Sequence, residues 1–131
     1  MSGSTSSKTE SRKLILVVDD DPQIRSIVAR ALSPMYAIRQ AEDGLVGAEE
    51  LTRSPAPDLV ILDVMMPHAD GISLAESMKA SSEFRTIPII FLTARASPGD
   101  LVQGIQAGAR AYITKPFKLE ELRQKVAKVL G

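Results

Sequence analysis

Cysteine is absent from the 131 residues. That excludes a disulfide framework, a thiolate metal site and a cysteine nucleophile, and it agrees with a reducing cytosol, so a cytoplasmic location is the expectation. There is no excess of charge either: Lys plus Arg and Asp plus Glu number 16 each. No global field therefore steers the chain toward nucleic acid or anionic lipid, and any partner must be chosen by a local patch. Long apolar runs are also missing. The longest are strand-length, far short of the roughly 20 residues a membrane helix needs, so a soluble chain with no membrane partner is expected. The one histidine, His68, follows Pro67 in a polar turn and reads as solvent-exposed rather than as a centre of phosphohistidine chemistry. Residues 1–13 are rich in Ser, Thr, Lys and Glu and contain no apolar core of a signal peptide, so they are expected to form a disordered leader. Residues 14–131 then make one domain, long enough to bury a core without disulfides or structural metal.

Within that domain, apolar β-branched runs at 14–18, 58–63, 87–92 and 110–114 lack strict polar alternation. Such runs mark strands covered on both faces. A weaker run from Tyr36 to Ala41 suits an edge strand. Between the runs lie helical patterns: Ile24, Ile27, Val28, Ala31 and Leu32 recur at helical spacing, and Leu119, Leu122, Val126 and Val129 do so near the end. Asp21-Pro22 and Ser97-Pro98 place a capping residue before a first-turn proline, Asp70-Gly71 opens the third helix, and Gly108 closes the fourth. Five strands alternating with five helices predict an α/β fold, a doubly wound parallel sheet of flavodoxin-like order 2-1-3-4-5.

Three of the strand runs end in charge: Asp19-Asp20 after the first, Asp63 after the third, Lys115-Pro116 after the fifth. Parallel strands gather these ends on one edge, where open α/β sheets hold their ligands. Two unit charges about 4 Å apart at an effective dielectric near 20 interact by about 4 kcal/mol, so clustered carboxylates require cations. Lys115 supplies one, and oxygen-only ligation points to Mg²⁺ or Mn²⁺ for the rest. Asp63, standing singly at the central strand's end, is the best candidate nucleophile toward a phosphoryl group. Thr93, ending the fourth strand, is placed to donate to a phosphoryl oxygen. A cis bond before Pro116 would aim Lys115 inward.

Val17-Val18-Asp19-Asp20-Asp21-Pro22, Leu62-Asp63-Val64-Met65-Met66-Pro67, Leu92-Thr93-Ala94 and Lys115-Pro116-Phe117 together resemble the receiver domain of response regulators in two-component signalling, of the chemotaxis-receiver kind. The likeness spans residues 14–130. It implies that Asp63 is the phosphoacceptor, Asp20 a direct metal ligand, Asp19 an acid acting largely through water, and Met65 a ligand through its backbone carbonyl. Thr93 and Lys115 would contact the phosphoryl group. Thr93 and Tyr112 would form the switch, moving the surface of the fourth helix, fifth strand and fifth helix. The implied cofactor is Mg²⁺, with Mn²⁺ able to replace it. The implied partners are a histidine kinase or phosphotransfer protein and a downstream protein, with a phosphorylation-dependent dimer allowed and no direct contact to nucleic acid. The implied protein is a signalling receiver that catalyses only its own phosphorylation and dephosphorylation. Met65 and Arg95 occupy positions that vary in the family and tune phosphoryl lifetime. The absence of an output domain after the fifth helix reads as a stand-alone receiver or a fragment.

Plainer roles suit the remaining candidates. Asp21 reads as a helix cap before Pro22 rather than a third metal ligand, and Asp43 and Asp70 as turn or cap acids. Met35, Met65, Met66 and Met78 read as gap-filling apolar residues. Arg123, Lys125 and Lys128 read as a solvated helix face that complements the dipole, or as the border of a partner surface. Two other functions share the fold. A phosphatase resembling the haloacid-dehalogenase class would use Asp19 and Asp21 as paired acids, but Gln23 stands where Thr or Val is expected. A flavin or nucleotide carrier would need a phosphate-friendly first loop, and Asp19-Asp20-Asp21-Pro22 repels phosphate.

Overall fold

The computed structural model describes residues 12–64, 71–94 and 106–131. Five strands, β1 (Leu14–Val18), β2 (Ala37–Ala41), β3 (Leu59–Leu62), β4 (Ile89–Thr93) and β5 (Ala111–Thr114), form one sheet of order β2-β1-β3-β4-β5. All its pairings are parallel. Four helices fall among the described residues: α1 (Pro22–Leu32), α2 (Gly44–Leu51), α3 (Gly71–Ala80) and α4 (Leu119–Leu130). The further helix expected after Ser97-Pro98 falls largely on residues 95–105, outside the described residues. Gly108, expected to close it, has φ +99°, a left-handed value that suits glycine.

The uninterrupted apolar runs make a two-sided core. Leu16, Val18, Val60, Leu62, Ile89 and Phe91 turn to one face, against Leu51 of α2 and Leu74, Ala75 and Met78 of α3. Ile15, Val17, Leu59, Ile61, Ile90, Leu92 and Ile113 turn to the other, against Val28, Ala31 and Leu32 of α1 and Leu122 and Val126 of α4. Alternate residues of each strand thus serve opposite layers, as the two-residue period of a strand dictates. β2 is the partly exposed edge that its weaker run suggested.

Helix starts follow the local chemistry. Asp21 caps α1, its Oδ1 accepting from the Gln23 amide at 2.9 Å with Pro22 in the first turn, and Asp43 caps α2 by accepting from Val46 at 2.9 Å. Two readings of the basic and sulfur side chains need correction. Met35 does not fill a gap; it is 65% exposed in the turn after α1. Arg123 and Lys125 are not simply solvated. Arg123 Nε donates to the Ala31 carbonyl at 3.1 Å and Lys125 Nζ to the Tyr112 carbonyl at 3.0 Å, tying α4 to α1 and to β5. Among the described residues no helix is long and apolar enough to cross a membrane.

Candidate functional site

Backbone bonds carry the ladder one residue past the strands and so fix the site residues in register. Asp19 N donates to Ala41 O at 3.1 Å, Asp63 N to Val18 O at 2.9 Å, and Lys115 N to Thr93 O at 2.7 Å. The C-terminal ends of β1, β3, β4 and β5 are thereby brought side by side. Asp19, Asp20 and Asp63 each offer a carboxylate oxygen within 4.8 Å of the others. Asp19, Asp63 and Thr93 are buried, while Asp20 is exposed at the rim.

Lys115 Nζ lies between two of these acids, 2.8 Å from Asp19 Oδ2 and 3.2 Å from Asp63 Oδ2. The shorter contact goes to Asp19, although Asp63 was singled out as the site's centre. Burial acts to lower the Lys115 pKa, but the Asp19 carboxylate, with Asp63 beyond it, outweighs burial and holds the amine above its ordinary value. The Lys115–Pro116 bond is cis.

Three carboxylates against one ammonium leave a formal deficit of two positive charges, the charge of one divalent cation. The donor atoms fit such an ion. They are all oxygens, as Mg²⁺ and Mn²⁺ prefer. Asp19 Oδ2, moreover, is buried without a directed hydrogen bond, its contact with Lys115 being one of charge. Met65, expected to add its carbonyl, lies outside the described residues, as do Met66, His68, Asp70 and Arg95.

Two residues hold this edge in shape that the sequence did not assign to the site, Gly71 having been read only as the opening of its helix. Arg25, one turn into α1, donates from a terminal guanidinium nitrogen to the Asp19 carbonyl at 2.7 Å and from Nε to Gln40 Oε1 at 3.3 Å. Its only sequence signal is its place six residues after Asp19. Gly71 opens α3 directly against the backbone of Asp63: a Cβ there would overlap the Asp63 carbonyl oxygen. Asp21, by contrast, turns its side chain to its own helix, while its amide donates to Asp19 Oδ1 at 2.9 Å. Asp21 is therefore a cap that also orients the neighbouring acid. Tyr112 is half-buried on β5, its ring tilted 55° to that of Phe91 at 5.7 Å between centroids.

Buried acids at the switch point of a 2-1-3-4-5 sheet, bridged by a lysine, define a class, and the comparisons agree with it. The family model of the response regulator receiver domain matches residues 15–127, and the chain belongs to that family. Response regulator MprA of Mycobacterium sp. (strain KMS) is 43% identical over 117 residues, covering 88% of this chain and 50% of that protein. The chain thus spans about half the length of this curated relative. The crystal structure of the Vibrio cholerae chemotaxis protein CheY4 superposes with a TM-score of 0.85 at 29% identity, covering 91% of this chain and 99% of that one. The Mn²⁺-bound form of response regulator Rcp1 superposes with a TM-score of 0.77 at 25% identity, covering 89% and 91%.

Proposed function

We propose that the chain is a phosphorylation-controlled receiver that takes a phosphoryl group on Asp63 from the phosphohistidine of a histidine kinase or phosphotransfer protein. The observation that carries this reading is the Lys115 ammonium set between Asp19 and Asp63, 2.8 and 3.2 Å away, with Asp20 at the rim. A carboxylate and a phosphoryl donor repel one another until the charge on the transferring oxygens is neutralised. In the transfer, an Asp63 carboxylate oxygen attacks phosphorus. The new P–O bond forms as the P–N bond breaks, and the electron pair leaves with the imidazole nitrogen. Lys115, freed from full engagement with Asp63, pairs with the incoming phosphoryl oxygens. Thr93, buried at the end of β4, donates its hydroxyl to one of them.

Asp19, Asp20 and Asp63, with the Met65 carbonyl, would hold Mg²⁺ or Mn²⁺, and the metal-bound form of Rcp1 supports a divalent ion in this fold. When bound, the ion supplies the two positive charges the acids lack and so lowers the barrier between anions. Hydrolysis of the acyl phosphate uses the same groups. No small substrate is turned over, and the protein is a signalling component of the cytoplasm rather than an enzyme. Movement of Thr93 toward the phosphoryl group lets Tyr112 turn inward. That motion alters the face built by β5 and α4, which a downstream protein reads.

The test is incubation with acetyl phosphate and Mg²⁺ followed by intact-mass spectrometry. The wild type is expected to gain one phosphoryl group, and Asp63→Asn none. A wild type that stays unmodified, or an Asp63→Asn variant that gains equally, defeats the reading.

A further inference from the structure

We infer that Arg25 is a positioning residue for the divalent-cation site: through the Asp19 carbonyl it fixes the peptide that carries Asp20, the exposed acid at the rim. This deepens the function proposed above and rests on that reading for the ion itself. Among the described residues no hydrogen bond or ion pair holds the Asp20 carboxylate. Its place is therefore set by the backbone beneath it. The Asp19 carbonyl and the Asp20 amide belong to one planar peptide unit, so a bond that fixes the first also fixes the second. Arg25 Nη1 donates to that carbonyl at 2.7 Å, and Arg25 Nε donates to Gln40 Oε1 at 3.3 Å. On its other side, the Asp19 amide donates to Ala41 O at 3.1 Å. Both main-chain groups of Asp19 thus end on the last two residues of β2, one directly and one through Arg25.

Three hydrogen bonds close a ring around Asp20. The Asp21 amide donates to Asp19 Oδ1 at 2.9 Å, the Arg25 amide to the Asp21 carbonyl at 3.1 Å, and the Arg25 side chain returns to the Asp19 carbonyl. Charge does not account for an arginine at this position. Arg25 stands near the start of α1, the positive end of the helix dipole, where a cation is disfavoured. Among the described residues it forms no ion pair. Its two directed bonds are what the position uses, and a guanidinium can span two acceptors in a fixed fork where an ammonium is a single point. Removing Arg25 has two effects of opposite sign on an incoming divalent cation. By Coulomb's law alone, loss of a nearby positive charge tightens binding. Loss of the clamp lets the Asp19–Asp20 peptide turn and weakens it, as happens when groups that orient metal ligands are removed. The direction of the change therefore separates positioning from charge.

The experiment titrates the full chain with MgCl₂ in a calorimeter and, on the same samples, follows acetyl-phosphate labelling by intact mass across Mg²⁺ concentrations. Arg25→Met is expected to raise the Mg²⁺ Kd about tenfold or more. The half-maximal Mg²⁺ concentration for labelling is expected to rise by the same factor, with the rate at saturating Mg²⁺ close to that of the wild type. Arg25→Lys, which keeps the charge but cannot span both acceptors, is expected to recover part of the affinity. Gln40→Ala, which removes only the outer support of Arg25, is expected to weaken binding in the same direction and by less. Unchanged or tighter Mg²⁺ binding by Arg25→Met overturns the inference, as does a lower melting temperature without ion accompanied by an unaltered Mg²⁺ Kd. Should Arg25→Met not fold, Gln40→Ala decides by the same criterion. Labelling of the wild type with an Mg²⁺ affinity indifferent to Arg25 removes the positioning role and keeps the Asp63 reading. An Arg25-dependent Mg²⁺ affinity without any mass gain does the reverse.

Discussion

Lys115 is the residue on which the site's charge turns, and its behaviour with pH can be worked out. The aspartates raise its pKa above that of an unfolded lysine, about 10.4. A raised pKa gives stability that is fully present below the unfolded value and is lost as pH rises through the folded one. The wild type is therefore expected to outlast Lys115→Gln in urea by a constant margin from neutral pH to about pH 10, with the margin shrinking above that. A margin independent of alkaline pH would contradict the pairing. Gly71 has the opposite character, acting through what it lacks. A methyl group there would collide with the Asp63 carbonyl, a contact of backbone with backbone that no rotamer relieves. Gly71→Ala is expected to cost about 1–3 kcal/mol in urea unfolding and to slow acetyl-phosphate labelling, whereas a silent substitution would refute the close approach.

At the scale of the element, caps and docking faces decide how well each strand end is held. Asp21 ends the first acidic run and begins α1, and its carboxylate is spent on the Gln23 amide. Asp21→Ala is expected to lower stability by about 1 kcal/mol while leaving the phosphoryl mass gain intact. Loss of labelling would make Asp21 a ligand after all. On the opposite side, α1 and α4 meet through Val28, Leu32, Leu122 and Val126, all in one buried cluster. Leu122 is fully buried, so Leu122→Ala is expected to cost about 2–5 kcal/mol in chemical denaturation, against a few tenths for exposed Gln124→Ala. These elements were legible beforehand because capping chemistry and apolar period act over a few residues. Met35 was misread for the complementary reason: it lies outside any periodic run, and only packing told whether a methionine there was covered.

For the molecule as a whole, the sheet order turns four separate sequence positions into one charged pocket of three carboxylates and one ammonium, which the function proposed above completes with a divalent cation. A ligand that binds only the folded state stabilises it by mass action, about 2.7 kcal/mol at a hundredfold excess over Kd. Mg²⁺ is expected to raise the wild-type melting temperature in calorimetry, and Asp20→Asn, at the exposed rim, to abolish most of the rise without unfolding the protein. An unchanged Mg²⁺ response in that variant would remove Asp20 from the ligand set.

The sequence by itself determined the strands, their parallel sense, the order and the three aspartates, because burial on two faces and charge at strand ends leave local marks in the chain. Only the tertiary structure decided how those groups divide their contacts. Asp19 lies closer to Lys115 than Asp63 does, Arg25 reaches back to the Asp19 carbonyl, and Gly71 presses on Asp63. Each of these depends on distances between residues remote in the chain or on neighbouring elements, which periodicity does not encode and which the crossovers and side-chain packing set.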